Sequence, residues 1–322
     1  MSDKASTEIK YDIITLGETM WRLSPPGHER LETARTLDIQ IGGAESNLAI
    51  ALARLGKQTA WWSRLPDTGP GHNVANMLRA HGVDVTGVRW EGKRLGTYFV
   101  EFGSPPRPTQ VIYDRADSAA SQMRPEDFDW GLLRQSRWLH LTGITPALSE
   151  SCLETTRRAI HEARAAKIPI SFDLNYRGKL WTPEQAAPVY DELAGRSTIV
   201  IAALRDIHLI YGPTTTIHDL HQRWNGAVVI LTNGVNGSDA YNGKTDYHAD
   251  AFKVEIVDRV GAGDSFDAGL LCALLDGKPL GEALRWGNAL AALKMTLQGD
   301  IAVVSRREIE HLLAEGSSQI QR

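Results

Sequence analysis

Apolar runs and amphipathic stretches alternate through the middle of the chain. Residues 137–143 (RWLHLTG), 168–175 (IPISFDLN), 197–203 (STIVIAA) and 227–234 (AVVILTNG) are short apolar runs. Between them, residues 150–166 (ESCLETTRRAIHEARAA), a stretch after Pro183 and a shorter one before residue 227 carry helical periodicity. Apolar strands separated by helices predict a largely parallel sheet covered on both faces. The first third follows the same plan. YDIITL (11–16) reads as a buried strand ending at Gly17-Glu18, and SNLAIALARLG (46–56) as a helix with Leu48, Leu52 and Leu55 on one face and Gly56 as its stop. TAWWSRL (59–65) follows as a strand and NVANMLRAHG (73–82) as a helix. GTYFVEF (96–102) and TQVIYDR (109–115) alternate apolar and polar residues around a Pro-rich turn, which predicts a hairpin. The expected architecture is α/β: a doubly wound, mostly parallel sheet flanked by helices, with a small β appendage. No repeat or low-complexity linker divides residues 1–322, so one domain is expected. Ligands of such sheets sit beyond the carboxyl ends of the strands, where Gly17, Gly143, Asn175, Asn233 and Asp264 should fall.

Composition narrows the possible partners. Of the 322 residues, 42% are hydrophobic and 23% charged, as in ordinary globular proteins. The net charge of −4 gives no footprint for nucleic acid or an anionic membrane. Cys152 and Cys272 lack metal or CxxC spacing and are expected to be buried thiols in a reducing compartment. The first twelve residues are polar, and no apolar run approaches the ~20 residues of a membrane span. A cytoplasmic protein is therefore expected.

The strongest chemical signal lies in residues 257–271 (VDRVGAGDSFDAGLL): a β-prone stretch, Gly261-Ala262-Gly263-Asp264, then a helical pattern. Glycines at a helix start leave amides bare for a phosphate or developing oxyanion, and Asp264 falls in the first turn. A carboxylate beside an anion cradle suits phosphoryl transfer, because it can accept an alcohol proton while the amides stabilise the transferring charge. On these four residues alone, an ordinary glycine turn fits equally well. Gly42-Gly43 with Asn47 precedes a helix, where small residues let a ligand approach the backbone and an amide can both donate and accept. Neither glycine segment completes GxGxxG, which argues against a dinucleotide site. Arg115 and Arg177 both end strands. Each by itself is a solvated charge, but two guanidinium forks converging on a pocket suit a carboxylate. Tyr113, two residues before Arg115, shares its face. Residues 231–238 (LTNGVNGS) form a glycine-punctuated turn after a strand.

With GGAESN, the hairpin, DLNYR and GAGD in this order, the chain resembles ribokinase-like (PfkB) carbohydrate kinases over about residues 11–313. The two signatures are GGAESNLAIALARLG (42–56) and DRVGAGDSFDAGLL (258–271). Within that family it is most similar to 2-keto-3-deoxygluconate kinases, through YDRADSAAS (113–121), TGITPALS (142–149), DLNYRGKLW (173–181) and Gly299-Asp300. The resemblance implies a ribokinase-like fold with a β-sheet lid from segments near 19–41 and 94–116, and ATP-dependent phosphorylation of 2-keto-3-deoxygluconate at its terminal hydroxyl. It implies Asp264 as the base and the amides of Gly261, Ala262 and Gly263 as the anion hole. For the sugar acid it implies Gly42, Gly43, Asn47, Tyr98, Tyr113, Arg115, Arg177, Asp264 and Asp300. On the ATP side it implies Asn175, Thr232, Gly234, Asn236, Gly237, Gly261, Gly263 and Asn288. Mg²⁺ is the implied cofactor, with a monovalent cation as a further one. Many members carry Asn-x-x-Glu after the fifth strand, where this chain has Ala203 and Asp206, so Asp206 would reach the metal through a water. A homo-oligomer, a dimer through the lids, is also implied. Two other readings share these residues: a kinase of a neutral sugar such as fructose or ribose, and a sugar- or nucleotide-binding homologue without turnover.

Overall fold

The computed structural model describes residues 8–315. Its strands are β1 (Ile13–Leu16), β2 (Met20–Ser24), β3 (Asp38–Gly42), β4 (Thr59–Leu65), β5 (Val88–Trp90), β6 (Thr97–Glu101), β7 (Gln110–Asp114), β8 (Leu139–Thr142), β9 (Ile170–Asp173), β10 (Ile199–Ala203), β11 (Val228–Thr232), β12 (Ser238–Tyr241) and β13 (Asp246–Ala249). Its helices are α1 (Ala44–Arg54), α2 (Gly69–Ala80), α3 (Trp130–Leu133), α4 (Glu150–Ala165), α5 (Pro183–Ala194), α6 (Leu204–Tyr211), α7 (Ile217–Arg223), α8 (Ala262–Leu275), α9 (Leu280–Met295) and α10 (Arg306–Glu315).

Nine strands form one sheet in the order β13-β12-β11-β10-β9-β8-β1-β4-β5. From β11 to β5 every pairing is parallel, and only β12 and β13 run antiparallel at one edge. The pleat splits the apolar runs between two cores. Ile14, Leu141, Phe172 and Val229 pack with Tyr190 of α5 and Trp224 on one face, whereas Ile13, Ile201 and Ile230 pack with Leu48 of α1 and with α8 and α9 on the other. Helix starts follow side-chain chemistry: Ser149 accepts from the Cys152 amide at α4, and Thr182 forms a capping box with Gln185 at α5. A second, four-stranded sheet has the order β3-β2-β6-β7, and the expected hairpin is its β6–β7 pair.

Three expectations need correction. The helix expected from residue 46 starts at Ala44, and the one expected from 73 starts at Gly69 with Pro70 in its first turn, the position that tolerates a missing N–H. The β-prone stretch before Gly261 forms no strand. The amides of Val257 and Asp258 instead donate to the Met295 carbonyl at the end of α9, at 2.9 and 3.2 Å, so docking overrides local propensity. Both cysteines are buried as expected, and burial pushes each thiol up to about 11. Among the described residues no helix is long and apolar enough to cross a membrane.

Candidate active site

A cavity of about 360 Å³ opens between the carboxyl ends of the large sheet and the small sheet. Asp173, Asn175 and Thr232 come from the strand ends, Gly42, Tyr98 and Tyr113 from the small sheet, and residues 261–264 from the start of α8.

The start of α8 has the geometry of an anion cradle. Gly261 adopts φ +81°, and a β-carbon there would stand 2.1 Å from the Asp300 carbonyl oxygen, so only glycine fits this turn. The Ala262 amide donates to Arg259 O at 3.2 Å, and the Ser265 amide to Gly261 O at 3.0 Å. Among the described residues the amides of Gly261, Gly263 and Asp264 have no partner. A β-carbon at Gly263 would meet nothing within 4 Å, so the cradle has room for a phosphate. Asp264 Oδ2 accepts from Asn47 Nδ2 at 2.7 Å, which joins the α1 signature to the α8 signature across 217 residues.

Carboxyl groups surround this point. Asp173 accepts from the Asn175 amide at 3.0 Å and from its Nδ2 at 2.9 Å, with Asn175 in the left-handed region at φ +38°. Burial, then the charge of Asp264, pushes the Asp173 carboxyl up to about 7. Asp267, one turn beyond Asp264 on α8, is buried against Asp173 and held well above the usual carboxylate range by burial and by that neighbour. Glu45 takes Thr142 Oγ1 at 2.7 Å and Thr145 Oγ1 at 2.9 Å on one oxygen, while burial pushes it up to about 7. Asp206 lines the wall, raised by burial and paired with Arg205 at 3.3 Å. Among the described residues no three His, Cys, Asp or Glu side chains gather as a metal cage. Mg²⁺ needs no such cage when one carboxylate, waters and phosphate oxygens share its shell, and Asp206 fits that lesser part.

The opposite end of the cavity departs from expectation. Arg115 and Arg177 both line it, but the Arg115 fork faces Glu18: Nε donates to Oε2 at 2.8 Å and Nη2 donates to the same oxygen. Ser118 Oγ donates to the other Glu18 oxygen at 2.5 Å. Arg177 is exposed, and its carbonyl accepts from the Leu180 amide at 2.8 Å. Its side chain makes no hydrogen bond or ion pair with the described residues, although its charge works against the burial that raises the Asp173 and Asp206 carboxyls. Tyr98 and Asp300 meet each other, the hydroxyl donating to Oδ2 at 2.7 Å, and Tyr113 stacks on Tyr98 with ring centres 5.7 Å apart. Arg22 of β2 bonds both Asp300 and, at 2.7 Å, Asp258. Gly43 and Asn47 lie on the cavity wall as expected.

Four predicted residues do not line the cavity. Gly234, Asn236 and Gly237 form the turn after β11, and Asn288 is buried in α9 with Nδ2 donating to Ala249 O and Asp250 O at 2.9 and 3.1 Å. Sequence reasoning passed over Glu18, Arg22, Glu45, Asp173, Asp258 and Asp267. Asp267 was findable from its i+3 spacing to Asp264. The pairing of Arg22 with Asp258 spans 236 residues and leaves no local signal.

The pfkB family carbohydrate kinase model matches residues 10–307. A 2-dehydro-3-deoxygalactonokinase of Haloferax volcanii is 42% identical over 316 residues, 97% of this chain and 99% of that protein. A 2-dehydro-3-deoxygluconokinase of Bacillus subtilis is 31% identical over 306 residues, covering 93% and 94%. The crystal structure of 2-dehydro-3-deoxygluconokinase from Thermotoga maritima superposes with a TM-score of 0.88 at 34% identity, covering 93% of this chain and 98% of that one. With the ribokinase-like sheet, the cradle at α8 and relatives of this extent, the chain belongs to the pfkB family of carbohydrate kinases and is a sugar kinase.

Proposed function

We propose that this kinase transfers the γ-phosphoryl group of ATP to the terminal hydroxyl of 2-keto-3-deoxygluconate, giving the 6-phosphate. The observation that carries the reading is the meeting, in one cavity, of Asp264, the bare amides of Gly261, Gly263 and Asp264 and the sugar-side Gly42-Gly43-Asn47 segment. Asn47 holds Oδ2 of Asp264, which leaves Oδ1 without a protein partner among the described residues and open to a substrate hydroxyl. Asp264 takes the hydroxyl proton as the oxygen attacks phosphorus, and the amides stabilise charge on the transferring group. Mg²⁺, when bound, neutralises charge on the phosphate oxygens, and Asp206 is the residue in place to hold it through water. Asn175, Thr232 and the 234–237 turn are read as the nucleotide side. Arg177 is read as the contact for the substrate carboxylate, with Arg115, Tyr98, Tyr113 and Asp300 shaping that end.

The small sheet is read as a lid that closes when both substrates are bound and excludes water. Hydrogen exchange over residues 96–115 should slow when sugar and nucleotide bind together; full protection in the free protein would count against closure. Exposed Ile39 and Ile112 on this sheet support pairing of two chains through it, which a solution mass measurement checks.

The 42% identity to a protein named 2-dehydro-3-deoxygalactonokinase favours a second reading, in which the galactonate epimer is the substrate. ADP release from ATP with both keto-deoxy acids, fructose and ribose separates the cases. Preference for a neutral sugar would remove the acid-substrate assignment and leave the kinase. No ADP release with any sugar would favour a binding homologue.

A further inference from the structure

Beneath the phosphate cradle lies a charge that the reaction does not consume. Lys294, in the last turn of α9, is 0% exposed. Its ammonium donates to Asp258 O at 2.9 Å and Leu297 O at 3.4 Å, two carbonyls in segments that frame the cradle. The Asp258 carboxylate is itself fully engaged, by Arg22 at 2.7 Å, the Val260 amide at 3.0 Å and the Gly299 amide at 3.1 Å. Asp300 completes the group through Arg22 and Tyr98, and its carbonyl packs on Gly261. The buried ledger is Arg22 and Lys294 against Asp258 and Asp300. Without Lys294 an uncompensated negative charge would stand under a loop built to hold phosphate. The Leu297 carbonyl, just past the C-terminal end of α9, and the Asp258 carbonyl form a setting for a cation, and a side chain of this chain already fills it.

We propose that Lys294 is a built-in cation that positions the phosphate cradle, so that turnover needs no added monovalent cation. The proposal rests on the kinase reading of the cavity. Lys294 is a positioning residue, acting through the 258–261 loop.

The test compares wild type, Lys294→Gln and Lys294→Met in potassium, sodium, ammonium and choline chlorides at one ionic strength. Wild-type ADP release should agree within about twofold across the four salts, since the cation is covalently supplied; activation by potassium over choline of about tenfold would overturn the proposal. The variants should lose about tenfold or more in kcat while the sugar KM stays within about threefold, and ammonium or potassium should restore part of the loss by entering the vacated pocket. Wild-type kcat in either variant would also overturn it. A second readout needs no turnover. The variants should melt higher in ammonium or potassium than in choline, whereas the wild type should not respond. If no sugar supports ADP release, the kinase reading fails and the melting series still decides: absence of a variant-specific cation response sinks the built-in cation.

Discussion

The two ends of the cavity are built differently. At the cradle end almost every group is held by another group of the chain: Asn47 fixes Asp264, Lys294 and Arg22 fix Asp258, and the Gly261 turn is locked against Asp300. At the other end, which the proposed function gives to the substrate acid group, one arginine is neutralised by a buried glutamate and the side chain of the other makes no hydrogen bond or ion pair with the described residues. Preorganised dipoles are worth most where charge develops in the transition state, so in the proposed mechanism the cradle end is where rigidity raises rate. In the proposed reading, the acid end meets a part of the substrate that does not react. There a single unpaired guanidinium can select a carboxylate without being prepaid by an internal partner. On that reading, the phosphoryl-transfer machinery would serve sugars of many kinds, and specificity would rest on few residues.

The largest test of this contrast is Asp264→Asn. The amide keeps the shape and the exposure of the carboxylate, so folding and ATP binding should be retained while kcat falls by about 10²–10⁴, the range of a lost general base. The loss should be the same for acid and neutral sugars. Near-normal turnover would remove Asp264 from the mechanism and leave the cradle end without its central role.

The asymmetry also explains what the sequence could disclose. The succession of strands and helices, the β6–β7 hairpin and the glycine turn at the start of α8 were legible because each is encoded locally, by alternation, by a turn, or by glycines at a helix start. Asp264 and Asn47 were both legible, although their contact was not. The Arg115–Glu18 pair was missed because its geometry depends on how the small sheet docks, and a guanidinium at a strand end looks alike whether free or paired. Asp173 stood in view inside DLNYR, yet its raised carboxyl follows from burial and from the charge of Asp264, which only the packed structure brings beside it. Lys294 was invisible for the same reason: a lysine in the last turn of a helix is ordinarily a solvated cation.

Next in size is Arg115→Ala. Its guanidinium is 11% exposed and its partner Glu18 is 1% exposed, so removing one leaves a buried, uncompensated carboxylate, which costs about 3–5 kcal/mol of stability. Chemical denaturation should register that loss, and adding Glu18→Gln should recover much of it. Activity on acid and neutral sugars should fall together. A selective loss on the acid with stability unchanged would return Arg115 to the role of direct carboxylate ligand and erase the contrast between the arginines.

Glu45→Gln probes the cradle end through pH. Burial lifts the Glu45 carboxyl from 4.5 to about 7, so the folded state holds its proton more tightly than the unfolded state. The stability from this group is complete below pH 4.5 and is lost as pH rises through about 7. A glutamine can still accept from Thr142 and Thr145 but has no proton to lose. The variant should therefore show a flatter fall in stability between pH 5 and pH 8 and be the more stable at the upper end, by up to about 3 kcal/mol. An unchanged slope would mean that Glu45 is solvated and that this wall of the cavity is looser than its hydrogen bonds indicate.

The finest test concerns Arg177, which carries the acid assignment once Arg115 is paired. A charge-assisted contact is worth about 1.5–3 kcal/mol, so Arg177→Ala should lower kcat/KM for the keto-deoxy acid by about tenfold to a hundredfold. Stability should hardly change, because the exposed Arg177 side chain makes no hydrogen bond or ion pair with the described residues. Weak activity on fructose or ribose should be untouched, since neither carries a carboxylate to be left unpaired. Lysine should restore only part of the loss, because a compact ammonium cannot reproduce the two parallel donors of the guanidinium fork. The gap between Arg177→Lys and wild type then measures how much of the recognition is geometry and how much is charge. Full rescue by lysine would mean that the acid end selects by charge alone, and equal losses on acid and neutral sugars would mean that Arg177 reads no carboxylate.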